Sequence, residues 1–117
     1  MQKRTPRVLA GFLLLASLCV SVIPCLAGTQ QGFVTYLYVR ASDGLVYFYL
    51  SGTPKDRPAC AQNTTYWMIR DENSTAGKQQ LAQLLTAYAS GSTLTIYGAD
   101  KCIRWPDGED VDNLRLQ

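Results

Sequence analysis

Residues 75–90, TAGKQQLAQLLTAYAS, place Leu81, Leu84, Leu85 and Tyr88 at i, i+3, i+4 and i+7, a single apolar stripe at helical spacing. Past the apolar run at the start of the chain, no other stretch has that period. Everything else there reads as strand or turn. A chain with three strand-like runs before one helix, and one or two after it, has few folds open to it. Asn73 or Ser74 can cap the free amides at the start of the helix, Asp71 and Glu72 suit the positive end of its dipole, and Gly91 ends it. Off the stripe, Gln79, Gln80, Gln83 and Thr86 are uncharged polar residues.

The first residues have the grammar of an export signal. Lys3, Arg4 and Arg7 precede an almost wholly apolar run over residues 8–26, and Cys25 and Ala27 are small residues where a peptidase reads its site. The expected division is a signal peptide over 1–27 and a single domain over 28–117. The run also approaches the ~20 residues that a spanning helix needs, but Pro24 and the small residues near its end favour removal. Lipid attachment at Cys19 or Cys25 is disfavoured by Leu18 and Pro24, which stand where a small residue is wanted. After cleavage no stable membrane span is expected, and the product is periplasmic or secreted.

Cleavage changes the charge. Of eleven basic residues in the 117, three leave with the signal, so eight remain against nine acidic ones and the formal charge moves from +2 to −1. The basicity belongs to the targeting segment, and the domain lacks the electrostatic footprint of a nucleic-acid binder. Two cysteines remain, Cys60 and Cys102, in a chain addressed to an oxidising compartment. A disulfide between them is expected, with about 4 kcal/mol of stabilisation in the chain-entropy view. A zinc pair or reactive thiol would need a partner ligand or base, and the chain has no histidine.

The strands follow from alternation and turn chemistry. Residues 33–40, FVTYLYVR, put Phe33, Leu37 and Val39 on one face and Val34, Tyr36 and Tyr38 on the other. Residues 41–44 make a turn in which Gly44 supplies a positive φ, and 45–50, LVYFYL, return as a hairpin. Residues 51–59 are a loop with two prolines. Residues 64–70, TTYWMIR, are a third strand, 93–97, TLTIY, a fourth, and 113–117 a short closing strand beyond an acidic loop. The order β-β-β-α-β-β is that of the OB-fold, a mainly β, five-stranded barrel plugged by one helix. An open sheet with the helix packed across it would use the same elements.

The hairpin, the PACA segment and Tyr66-Trp67 that follow it, and the helix with its trailing SGSTLTIYG resemble the small secreted bacterial domains related to the B subunit of subtilase cytotoxin. The similarity covers nearly all of residues 32–116. The chain also resembles stand-alone members of that group, which share segments like YWMIRDEN and RWPDGEDVD. The resemblance implies an OB-fold, a pentameric ring and binding of sialylated glycans, with Ser42 as the rough positional match of a sugar-contacting serine. The toxin subunit has a cysteine in its second strand where this chain reads YFYL, so the disulfide arrangement does not carry across.

On chemical grounds, Tyr36, Tyr38, Tyr47 and Tyr49 could stack on sugars, fill an interface or simply cover the barrel. Trp67, in mid-strand, is expected in the core, and Trp105, beside Pro106, at the surface. Asp107, Glu109, Asp110 and Asp112 could gather a calcium ion, but lack the alternate spacing of a dedicated loop; a solvated turn pairing with Arg104 or Arg115 is the plainer expectation. With no histidine and no serine in a strand-turn-helix elbow, neither catalysis nor a cofactor is expected. The expectation is an exported, non-catalytic binding module that takes a glycan through Tyr36, Ser42, Asp43, Tyr47 and Trp105. The alternative is an envelope protein-interaction module with no carbohydrate site.

Overall fold

The computed structural model describes residues 26–117, so the predicted signal segment lies outside the described residues apart from Leu26 and Ala27. The elements are β1 (Thr29–Val39), β2 (Val46–Leu50), a one-turn 3₁₀ segment (Ala59–Ala61), β3 (Trp67–Met68), α1 (Thr75–Ser90), β4 (Thr93–Gly98) and β5 (Glu109–Leu116). They close into a five-stranded barrel of order β1-β2-β3-β5-β4, an OB-fold-like arrangement, and the open-sheet alternative falls away.

Closure depends on β1 being longer than its apolar pattern suggests. Its first half, Thr29 to Phe33, pairs with β4, and its second half, from Val34 onward, pairs with β2. Gly32 sits at the changeover, where a Cβ would come within 2.3 Å of the Ser51 carbonyl oxygen. Only glycine lets the strand pass there. The first three residues, Thr-Gln-Gln, carry no apolar alternation, which is why they do not read as strand.

A bulge at Thr35 corrects the expected faces. The register moves from Val34 opposite Leu50 to Tyr36 opposite Tyr49, so Val34 and Leu37 both turn toward the core while Phe33 and Val39 stay exposed. Strict alternation had grouped Val34 with the tyrosines. On β2 the pattern holds without interruption: Val46, Phe48 and Leu50 point in, Tyr47 and Tyr49 out.

β3 shrinks to two residues for an identifiable reason. The Arg57 guanidinium donates to the carbonyls of Thr64 at 2.8 Å and Tyr66 at 2.7 Å, so a side chain takes the carbonyls that a ladder would have used. β5 in turn begins earlier than expected, because the acidic run enters the sheet. Trp67 and Met68 pair in parallel with Glu109 and Asp110, which completes the barrel.

The helix is capped by Ser74, whose Oγ accepts from Gly77 N at 3.0 Å. Its buried face is Gly77, Leu84 and Ala87, with Leu81 packed against the core. The predicted stripe is therefore rotated: Leu85 and Tyr88 are 52% and 57% exposed. Gly77 is needed where the helix start passes the Asp71 carbonyl, since a Cβ there would fall 1.9 Å from that oxygen. Gln80 donates to the Asp112 carbonyl and Thr86 to that of Ala82, while Gln79 and Gln83 remain exposed. Cys60 and Cys102 are disulfide-bonded. No helix among the described residues is long and apolar enough to cross a membrane.

Candidate functional site

Two surfaces of the barrel carry side chains beyond what folding asks for. The first is the outer face of the β1–β2 hairpin. Tyr38 lies flat on Tyr47, with centroids 4.7 Å apart and planes 8° from parallel, and Tyr36 meets Tyr49 edge-on at 6.0 Å. Tyr66, just before β3, joins through Tyr49 at 5.7 Å and Tyr47 at 6.0 Å. Rings that stand side by side on a sheet use their faces on one another, so this surface offers ring edges and hydroxyl groups more than open stacking faces. The Tyr66 hydroxyl donates to Asp107 Oδ1. Partial burial, then that hydrogen bond and the carboxylate's charge, push the Tyr66 phenol well above its ordinary value.

At the hairpin tip the polar groups are tied to one another. Arg40 donates to both Asp43 oxygens, at 2.9 and 2.7 Å, and its guanidinium carbon lies 4.1 Å from the centre of the Trp105 ring. Arg104 reaches Asp43 and, through Nε, both Glu72 oxygens, while Glu72 Oε1 also accepts from Val46 N. The Arg40 guanidinium holds the Asp43 carboxyl well below the usual carboxylate range. Of the residues singled out in the sequence, Asp43, Tyr47 and Trp105 therefore gather around Arg40, where a slot of about 170 Å³ is walled by Tyr47, Tyr66 and Trp105. Tyr36 belongs to the same face at the far end of the tyrosine row. Ser42 is exposed in the turn.

The acidic run behaves differently from expectation. Arg104 directs its side chain to Glu72 and Asp43, away from residues 107–112. Glu109 and Asp110 are fully buried. Asp110 accepts from the backbone N–H groups of Ile103 and Arg104 at 2.9 and 3.1 Å, and Glu109 Oε1 from those of Gly28 and Asp100 at 2.9 and 3.1 Å. Arg57 faces Glu109 with Nε 3.5 Å from Oε2, an ion pair longer than a hydrogen bond. These carboxylates hold loops in place instead of forming a solvated turn. Among the described residues no group of three or more histidine, cysteine, aspartate or glutamate side chains is placed to hold a metal ion.

The second surface was not singled out by the sequence. An open cleft of about 350 Å³ lies where the start of β1 meets β4, lined by Thr29, Gln30, Gln31, Thr53, Lys55, Thr95 and Tyr97. Its walls are positioned by backbone pairing: Thr29 opposes Tyr97, Gln31 opposes Thr95, and Lys55 exchanges backbone hydrogen bonds of 2.9 and 2.8 Å with Thr29. Gln30 is buried and committed, giving Nε2 to the Leu50 and Ser51 carbonyls and accepting from the Trp67 indole. Gln31 bonds Gln117, which also reaches Thr95 Oγ1. Exposed Thr53, exposed Lys55 and Tyr97, 40% exposed, are left facing solvent. Its only trace in the sequence is polar residues alternating with strand formers in TQQG and TLTIY, a pattern that fits any solvated strand. No protein-family model, curated protein or solved structure matches the chain.

Proposed function

We propose that this chain is an exported, non-catalytic binding module of the toxin B-subunit-like kind, and that its ligand is a carbohydrate seated in the β1–β4 cleft. The observation that carries the reading is the make-up of that cleft: the Thr29 and Thr53 hydroxyls, the exposed Lys55 ammonium group and the partly exposed Tyr97 ring, gathered beside the β1–β4 strand pair. Sugars are recognised by this combination, with hydroxyls meeting short polar side chains and an apolar ring face lying on an aromatic one. The volume falls within the usual range for ligand sites of ~300–1,000 Å³. The hairpin residues Tyr36, Asp43, Tyr47 and Trp105 support the reading less, because their ring faces and charges are engaged with one another. Binding of the domain 28–117 to an immobilised glycan panel tests the proposal; a flat panel with folded protein overturns it.

One observation favours the envelope-interaction alternative. The exposed Leu85 and Tyr88 of α1 face Tyr36, Leu37 and Val39 of β1 across an apolar groove of about 400 Å³. Assembly into a ring of copies, as the resemblance implies, would be another use for it. Light scattering on the mature domain separates monomer from ring, and a pull-down from envelope extract reads a foreign partner.

A further inference from the structure

The disulfide joins two loops that are each held by other means. Cys60 lies on the exposed 3₁₀ turn between β2 and β3, and Cys102 is half-buried in the loop between β4 and β5. On the Cys102 side, Lys101 O accepts from Asp110 N at 2.8 Å, and the Asp110 carboxylate accepts from Ile103 N and Arg104 N. On the Cys60 side, Ala61 is fully buried and Arg57 clamps the Thr64 and Tyr66 carbonyls. The two loops also meet without using the sulfurs, since Thr64 Oγ1 donates to the Asp107 carbonyl at 2.6 Å and the Tyr66 hydroxyl to the Asp107 carboxylate. Both ends are thus held by contacts that do not involve the sulfur bond.

We propose that Cys60–Cys102 is a reversible thiol–disulfide exchange site, whose reduction leaves the barrel folded and whose two thiols remain poised to close again. The co-reactant is a dithiol. One of its thiolates attacks the sulfur of Cys60, the more exposed residue of the two, and Cys102 leaves as a thiolate that takes up a proton. The second thiol of the reductant then attacks the mixed disulfide, releasing Cys60 and ending as the reductant's own disulfide. Two electrons and two protons pass to the protein. The direction of attack follows from exposure: Cys60 is open to solvent, whereas Cys102 sits between two residues bonded to Asp110.

The test is native reduction with dithiothreitol, followed by thiol alkylation, peptide mapping and circular dichroism. The proposal predicts full reduction without denaturant, a cooperative melt at a lower midpoint, and re-closure in air at a rate independent of protein concentration. A requirement for denaturant, or loss of the cooperative melt on reduction, overturns it. The single-cysteine variants read the asymmetry. Cys102→Ser, which keeps Cys60, should form a mixed disulfide with oxidised glutathione at least about tenfold faster than Cys60→Ser, which keeps Cys102. Equal rates, or the reverse order, contradict the assignment of Cys60 as the point of entry. The variant with both cysteines changed to serine should melt cooperatively, and its failure to fold would also overturn the proposal.

Discussion

The indole N–H of Trp67 donates to Gln30 Oε1 at 2.7 Å in the interior of the barrel, joining β1 to β3 across strands that do not pair with each other. Gln30 passes the connection on through Nε2 to the carbonyls of Leu50 and Ser51. The Trp67 indole N–H and both ends of the Gln30 amide are thereby satisfied, which is the condition for burying them at all. Replacing Gln30 with methionine keeps the length and removes the partners. The expected loss is about 2–3 kcal/mol, since an unpaired buried indole N–H and carbonyl each cost about 1–3 kcal/mol. Urea unfolding followed by circular dichroism measures it, and adding Trp67→Phe to Gln30→Met should cost less than the two single losses combined.

The ion pair of Arg57 and Glu109 is buried on both sides, and the Arg57 guanidinium carbon also lies 4.5 Å from the centre of the Trp67 ring. Removing either charge strands the other. Arg57→Met is expected to destabilise by about 3–5 kcal/mol, with Glu109→Gln close behind. Gly98→Ala should act on the same pair by crowding, because its Cβ would fall 1.9 Å from Glu109 Oε1. Thermal melts of the three variants check this, and a Gly98→Ala protein as stable as the parent would show that the carboxylate has room to move.

The tyrosine face makes a prediction for alkaline pH. Burial, then the hydrogen bond and charge of Asp107, hold the Tyr66 phenol above its ordinary value of 10.0, and Tyr49 is raised by burial and by Tyr47. A raised folded value contributes stability that is fully present below pH 10 and is lost as pH climbs through the folded value. Spectrophotometric titration should therefore lose its latest phenolate signal in Tyr66→Phe. Asp107→Asn should bring that signal to lower pH.

At the acid end the hairpin tip responds in the opposite sense. Arg40 first, helped by the Leu45 N–H, keeps Asp43 below its ordinary value of 3.8 against the opposing effect of desolvation. A depressed carboxyl contributes stability that is present above pH 3.8 and lost as pH falls from there toward the folded value. The drop in melting midpoint between pH 5 and pH 2 should be smaller in Asp43→Asn than in the parent. Exposure and salt screening keep the difference small, so low ionic strength is the condition to use.

The element order was legible because it depends on local signals: the leucine spacing of α1, the Ala-Ser-Asp-Gly turn, and the alternation of β2. Gly44 has the expected positive φ, at 73°. What escaped reading depends on contacts distant in sequence. Nothing local announces that Arg57 would take the Thr64 and Tyr66 carbonyls and shorten β3, or that Glu109 and Asp110 would be drawn inward by four backbone N–H groups. The bulge at Thr35 reverses the faces of β1 through one extra residue, which hydropathy alone cannot locate. The aromatic residues of the hairpin drew the functional reading because tyrosine is conspicuous. The cleft at Thr29, Lys55 and Tyr97 is assembled from three separate segments and has no compact signature.

On the proposed reading, a sugar sits on Tyr97 in the β1–β4 cleft. Calorimetric titration of the domain with the best glycan from a panel, run in parallel on Tyr97→Ala, Lys55→Ala and Trp105→Ala, tests it most directly. The prediction is saturable binding that weakens in both Tyr97→Ala and Lys55→Ala, by about two- to tenfold for the loss of a ring contact of about 0.5–1.5 kcal/mol, with Trp105→Ala unchanged. Binding that survives Tyr97→Ala intact but disappears in Trp105→Ala would contradict the account and move the site to the hairpin.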